Sequence, residues 1–351
     1  MTPQVTVVMP VRNGARWLGE AVESVVAQTL RDWELVAIDD GSTDATPRIL
    51  GEFARRDDRI RVIRQEPLGL VVALNRGLAE ARSPLLARLD ADDRALPERL
   101  DRQLRHLGAH PDIGLLGSWA QEIDDGGNRR GHLKPASEPE ELARVLMRAN
   151  PFVHSSVMFR TAPVRRLGGF RPAFRAAEDY DLWLRIAETA KLANLPEALV
   201  QYRWHSESVT NRNAIRQAFS VRLAQRSARA RRDNGNDPAG GLSGPPDWRA
   251  PAADASFYAD DAILYRLLDL ADPEFRGDAG ADVDFTPLAA RFAELNHAER
   301  ALAAHAMINH MGRGDRASAR RTRRLFFGLL RQKPGMIPRA AWRALPAALL
   351  R

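Results

Sequence analysis

Four short apolar runs alternate with stretches of helical spacing over residues 5–89, a rhythm that few architectures accept. Val5-Thr6-Val7-Val8-Met9 is closed by Pro10 and by Asn13-Gly14, as a buried strand is. Trp17, Leu18, Ala21, Val22, Val25 and Val26 then recur on one helical face. Leu35-Val36-Ala37-Ile38 makes the next strand, stopped by Asp39-Asp40-Gly41-Ser42. Ile60–Ile63 and Leu85–Leu89 fit a third and a fourth, with helices expected near 44–55 and 70–82. Strands that alternate with helices in this way predict an α/β fold, a mostly parallel sheet flanked by helices on both faces.

Beyond Pro97 the pattern is mixed. A helix is expected over 98–107, strands over 113–119 and 157–159, a hairpin turn at 124–128 and an amphipathic helix over 178–188. Residues 233–251 hold four Gly and four Pro, the composition of a linker. The expected organisation is a large domain over 1–232, that linker, a helical region over 252–312 (helices at 255–271 and 287–311) and a basic amphipathic tail over 313–351. No internal repeat is present.

The 351 residues include no cysteine, which excludes disulfides, thiolate metal sites and cysteine nucleophiles. No run of eighteen apolar residues offers a membrane span, and Met1-Thr2-Pro3-Gln4 leads straight into a strand rather than a secretion signal. A cytoplasmic location is therefore expected. The net charge of +7 would suggest nucleic acid, but residues 313–351 alone carry +10 and leave −3 for the first 312. The basicity is a tail, and no nucleic-acid partner is expected.

Three carboxylate clusters carry the chemistry. Asp39-Asp40-Gly41-Ser42-Thr43-Asp44 follows a buried strand, where ligands of open α/β sheets bind; it could equally be a strand-ending turn that caps a helix. Asp90-Ala91-Asp92-Asp93 follows another strand. Alternate residues there share a face, so Asp90 and Asp92 can converge on Mg²⁺ or Mn²⁺, and an acidic turn without a cation would repel itself. In Glu178-Asp179-Tyr180-Asp181 the acids either complement a helix dipole or supply a general base. His106, His110, His297, His305 and His310 read as surface or packing residues; His154 and His205 sit where loops can reach a site. The glycine-rich dinucleotide and P-loop motifs and the Gly-x-Ser-x-Gly elbow are missing.

In order, Val7–Asn13, Ser24–Thr29, Glu34–Asp44, Leu74–Gly77, Leu89–Asp93, Glu178–Arg185 and Tyr202–His205 resemble the family-2 inverting glycosyltransferases of GT-A fold, over roughly residues 4–210. The resemblance implies a nucleotide-sugar donor, with a UDP-sugar the expected one, and a glycan or lipid-linked acceptor. Pro10, Arg12 and Asn13 would line the nucleotide, Asp40 would bind base or ribose, and Asn75 would lie on the donor side. Asp90-Ala91-Asp92 is similar to the family's Asp-x-Asp motif: Asp92 would hold Mn²⁺ or Mg²⁺, Asp90 would reach ribose or metal, and His205 would be a further ligand. Asp179 would be the catalytic base, with His154 and Glu178 on the acceptor side. Arg12 departs from the aromatic residue common at its position.

Two other readings compete. A sugar-phosphate nucleotidyltransferase needs a glycine-rich phosphate loop that Pro10–Gly14 cannot form, and a non-catalytic binding protein should have lost one of Asp90, Asp92 and Asp179. Acceptor specificity is expected in 120–135, in 150–176 and in the C-terminal region, where no readable code stands. In the tail, arginines beside Leu325-Phe326-Phe327 and, further on, Trp342, Leu345, Leu349 and Leu350 suit an anionic membrane surface, a peripheral location, or an ordinary packed helix.

Overall fold

In a computed structural model the described residues are 2–205, 214–250, 253, 256–269, 285–295, 299–300, 303–304, 307–308, 310–311 and 316–332. Trp342, Leu345, Leu349 and Leu350, and His297 and His305, lie outside them. The chain divides into two compact units, one of residues 1–212 with 224–245 and one of 213–223 with 246–351.

The first unit is built on a nine-stranded mixed sheet ordered β3-β2-β1-β4-β8-β6-β9-β5, with β7 paired to β6. Strands β1 (Val5–Val11), β2 (Trp33–Asp40), β3 (Ile60–Gln65) and β4 (Leu85–Arg88) are mutually parallel, as the alternation predicts. Helices α1 (Leu18–Val26), α2 (Thr46–Arg56) and α3 (Leu70–Glu80) connect them. The α1 face of Leu18, Ala21, Val22 and Val25 is buried in one core with Val7, Leu35 and Ala87. Then follow β5 (Arg94–Ala95), α4 (Arg99–Ala109), β6 (Ile113–Ile123), β7 (Arg129–Leu133), α5 (Pro139–Leu146), β8 (Met158–Arg160), α6 (Thr161–Arg166), α7 (Glu178–Ile186) and β9 (Lys191–Arg203). Strand β8 runs antiparallel between β4 and β6, and β9 returns parallel to β6.

Chain order reverses at β1, whose neighbours β2 and β4 lead to opposite sides of the sheet, so a crevice opens between the carboxyl ends of β1 and β4. The β1–β4 ladder stops at Val8 and Arg88 while β1 stays paired to β2 as far as Val11. The Val8 carbonyl accepts from Leu89 N at 3.2 Å, so Val8 turns its polar backbone toward β4. Pro10, two residues on, faces the same way beyond the end of that ladder, where its missing N–H costs nothing.

Helices α8 (Ala214–Asn234), α9 (Ala259–Asp269), α10 (Thr286–Ala290) and α11 (Arg316–Gln332) follow β9 in the chain, and the second unit has its own core. Tyr258 and Tyr265 pack edge to face on Phe219 at centroid distances of 5.7 and 5.2 Å, and Trp248 lies tilted against it at 4.8 Å. Arg222 pairs there with Glu299 and Asp261, both buried.

Candidate active site

The loops that follow β1 and β2 are sewn together by short polar side chains. Asn13 takes the left-handed conformation (φ 54°), donates its N–H to Ser42 Oγ (2.9 Å) and accepts from Thr43 N (2.8 Å) through Oδ1. Gly14 N donates to Thr46 Oγ1 and Ala15 N to Asp44 Oδ2, which leaves Ser42, Asp44 and Thr46 as loop builders. Pro10 is buried at the end of β1, and Arg12 stands exposed on the loop.

Asp39 and Asp40 differ sharply. Asp40 accepts from Gln65 Nε2 (2.8 Å), Leu68 N (2.9 Å) and Gly69 N (2.9 Å), which commits both its oxygens to the loop that enters α3. Asp39 accepts from Ser42 N (2.9 Å) with Oδ1, while its buried Oδ2 has no hydrogen-bond partner among the described residues and lies 3.6 Å from Arg64 Nε. The open acceptor is thus on Asp39, while Asp40, expected from sequence to meet base or ribose, is engaged by its own loop. Asn75, expected on the donor side, accepts from Phe170 N (2.9 Å) and donates to Phe170 O (2.7 Å), splicing α3 to the segment before α7. A Cβ at Gly169 (φ 68°) would stand 2.5 Å from Asn75 Oδ1, so the splice requires glycine there.

The acidic loop after β4 brings carboxylate oxygens of Asp90, Asp92 and Asp93 within 4.8 Å of one another. Buried Arg88 grips Asp90 through both terminal nitrogens, and Ser155 Oγ donates to Asp90 Oδ2 at 3.0 Å. Burial raises the Asp90 pKa most strongly of any one effect, but the Arg88 charge, the Arg88 hydrogen bonds and the Ser155 bond together outweigh it and the net shift is downward. Asp92 has no arginine; burial and the Asp90 charge push its pKa up, and His205 Nε2 at 2.9 Å from Asp92 Oδ2 pulls the other way. Asp93 is pushed well above the carboxylate range by burial and by its two acidic neighbours, and its buried Oδ2 has no partner. Three hard oxygen ligands at this spacing, one paired and two short of positive charge, fit a divalent cation such as Mn²⁺ or Mg²⁺.

Arg203, at the end of β9, locks this loop in place. Its N–H donates to Asp93 Oδ1 (2.7 Å), Nε to Asp92 O (2.8 Å), one Nη to Asp124 O and Asp125 O (both 3.0 Å) and the other to Glu20 Oε2 (2.6 Å). Trp17 Nε1 donates to Asp125 O, and its ring lies 4.6 Å from that of His205. Neither Arg203 nor Trp17 stands out in sequence as a site residue; the β6–β7 turn that they hold does.

Helix α7 (Glu178–Ile186) begins with the third cluster. Asp179 accepts from Asn150 Nδ2 (2.8 Å) and Tyr180 N (2.7 Å) and is half-buried; burial raises its pKa and those two bonds temper the rise. Glu178 is buried, and burial with the Asp179 charge pushes it to about 7. Asp181 is wholly buried between Arg171 and Arg185, a structural anchor for the helix. His154 packs on Trp183 at 6.0 Å; burial and the Arg88 charge hold its pKa well down, so the ring is neutral.

A protein-family model for glycosyl transferase family 2 matches residues 6–168. The chain is 36% identical over 216 residues to EpsE of Bacillus subtilis, which bears the name of a glycosyltransferase; that match covers 60% of this chain and 77% of the other. It is 34% identical to the amylovoran biosynthesis glycosyltransferase AmsE of Erwinia amylovora, covering 56% of this chain and 73% of that one. The chain belongs to glycosyl transferase family 2. The chain is also similar, at 28% identity over 64% of its length and 82% of the other, to the Escherichia coli UDP-Gal:α-D-GlcNAc-diphosphoundecaprenol β-1,3-galactosyltransferase. Among solved structures, Staphylococcus aureus TarS 1–349 superposes with a TM-score of 0.56 at 16% identity, covering 94% of this chain and 91% of that one. The Pyrobaculum calidifontis mannosyltransferase PcManGT, in complex with GDP-Man and Mn²⁺, gives 0.53 at 20%, covering 98% and 86%. These likenesses place the family-2 chain in the GT-A fold, and the chain is a glycosyltransferase.

Proposed function

We propose that the chain transfers a sugar from a UDP-sugar to a hydroxyl of a glycan or lipid-linked acceptor with inversion at the anomeric carbon. The observation that carries this reading is the contact between Asp92 Oδ2 and His205 Nε2 at 2.9 Å beside the switch-point crevice, which joins two distant segments into one ligand set. Asp92 with His205 would hold Mn²⁺ or Mg²⁺, and Asp90, already neutralised by Arg88, is better suited to a ribose hydroxyl. A bound divalent cation neutralises the charge that develops on a diphosphate leaving group. Asp39 Oδ2, the open buried acceptor, is our choice for the nucleotide, flanked by Pro10, Arg12 and Asn13.

An acceptor hydroxyl is a weak nucleophile near neutral pH and needs a base in line with departure. Asp179 fills that role: it is half-buried, oriented by two donors, and keeps acceptor capacity beyond them. Glu178 and His154 would frame the acceptor. The lipid-linked acceptor named for the E. coli relative supports the same class here, and with it work at the inner face of a membrane.

Titration calorimetry of the chain with UDP-glucose, UDP-galactose and UDP-N-acetylglucosamine, with Mn²⁺ and with EDTA, tests the reading. Binding of one donor that vanishes with EDTA and in Asp92→Ala supports it. No binding to any of them, or binding indifferent to EDTA, would reject it. Donor binding without turnover in wild type would favour a non-catalytic binding protein instead.

A further inference from the structure

Helix α11 (Arg316–Gln332) lies outside the residues matched by the family model, and nothing in the sugar-transfer chemistry uses it. Its seventeen residues include six arginines and no acid. Arg320, Arg324, Phe327 and Arg331 follow one another at i, i+4, i+7 and i+11, so they form one stripe along the helix. The three arginines are exposed, and Phe327 in their midst is half-exposed, with the Arg323 guanidinium 5.9 Å from its ring centre. On the opposite side Thr322 and Phe326 are buried, which fixes that side to its own unit and turns the arginine stripe outward.

An array of like charges this dense repels itself unless anions lie against it. Two polyanions could serve, a nucleic acid or an anionic membrane. The first 312 residues carry a net −3 and would repel a strand that extended beyond the helix. A planar surface touched by one helix face avoids that conflict, and it alone offers an apolar layer for Phe327 beneath a layer of phosphates. Among the described residues no helix is long and apolar enough to cross a membrane, so the contact is one of docking.

We propose that α11 docks the protein on an anionic phospholipid surface, with Arg320, Arg324 and Arg331 on headgroup phosphates and Phe327 at the boundary with the acyl chains. The inference deepens the proposed function, because a lipid-linked acceptor lies in that surface, but the docking itself requires neither donor nor turnover.

Co-sedimentation of the full chain with vesicles of phosphatidylcholine, with and without about a third phosphatidylglycerol, tests it. Binding should occur on the anionic vesicles only and weaken steeply toward roughly 0.5 M salt. The triple variant Arg320→Gln/Arg324→Gln/Arg331→Gln should partition about 100-fold more weakly, given the usual worth of three basic residues at such a surface. The matching Arg→Lys triple should keep most of the binding, and both should melt near the wild-type temperature. Equal sedimentation of wild type and the Gln triple would overturn the proposal. So would equal binding to neutral vesicles, or tighter arginine-dependent binding to a DNA duplex than to the anionic vesicles. If wild type sediments as expected yet binds no UDP-sugar, the proposed donor falls and this inference stands.

Discussion

Arg88 grips Asp90 through both terminal guanidinium nitrogens while lying almost wholly out of solvent. Two residues apart at one strand end, they form an internal salt that removes one negative charge from a loop holding three. Arg88→Met should therefore cost about 3–5 kcal/mol, the usual penalty for leaving one buried charge uncompensated. Arg88→Met/Asp90→Asn should recover most of that loss. Urea unfolding of the two variants checks it; an equal loss in both would mean that the two charges are not coupled.

Asp179 and Asp181 share a helix turn but face different surroundings, and their amides should fail differently. Asp179→Asn should lower kcat by about 10²–10⁴ with donor affinity intact, as expected for loss of a general base. Asp181→Asn should lower the melting temperature, because Arg171 and Arg185 lose a shared buried counter-ion. Kinetics and thermal melts on both proteins decide it. A fully active Asp179→Asn would move the base elsewhere, first to Glu178.

Glu178 makes stability depend on pH. Its pKa of about 7 in the native state stands above the 4.5 of a free carboxyl, so the native state holds this proton more tightly than the unfolded chain. The contribution is complete below about 4.5 and disappears as pH rises through about 7; it is worth about 3 kcal/mol. Between about pH 5 and pH 8 wild type should lose roughly that much more unfolding free energy than Glu178→Gln. Parallel urea curves for the two proteins would contradict the burial assigned to this side chain.

Asp39→Asn and Asp40→Asn should separate binding from folding. The first should weaken UDP binding with little change in melting temperature. The second should cost about 1–3 kcal/mol, since the Leu68 and Gly69 amides lose a charged acceptor. Calorimetry with UDP alongside thermal melts tells them apart; a stable Asp40→Asn that cannot bind UDP would restore Asp40 as the nucleotide ligand.

That last contrast shows where reading residues reaches its limit. Strands β1, β2 and β4 are legible because each is buried on both faces and shows an apolar run between turn residues, whereas the edge strand β3 is legible only through Ile60, Val62 and Ile63. Strand β9 is not, because Asn194, Pro196 and Glu197 interrupt it and its register against β6 shifts around Ser118 and Trp119. The clusters that could bear a cation or a base are visible as composition after strands. Which member does what depends on facing: Asp39 against Asp40 turns on the β pleat, Asp179 against Asp181 on where Arg171 arrives from. Arg203 is invisible for a related reason, since its partners lie 110 residues or more away for Asp92 and Asp93.

That same separation imposes a temporal order. Arg203 clamps a loop synthesised more than a hundred residues earlier, and His205 reaches Asp92 across an equal span. Contacts so distant along the chain form late, after closure of a long loop. An emerging polypeptide can therefore complete the parallel half of its sheet and still possess no usable cation site. Nascent chains interrupted before β9 would carry three crowded carboxylates with Arg88 as their partner but without the Arg203 clamp. On the proposed function, competence for chemistry would arrive only with β9, and Mn²⁺ affinity would report whether that strand has docked.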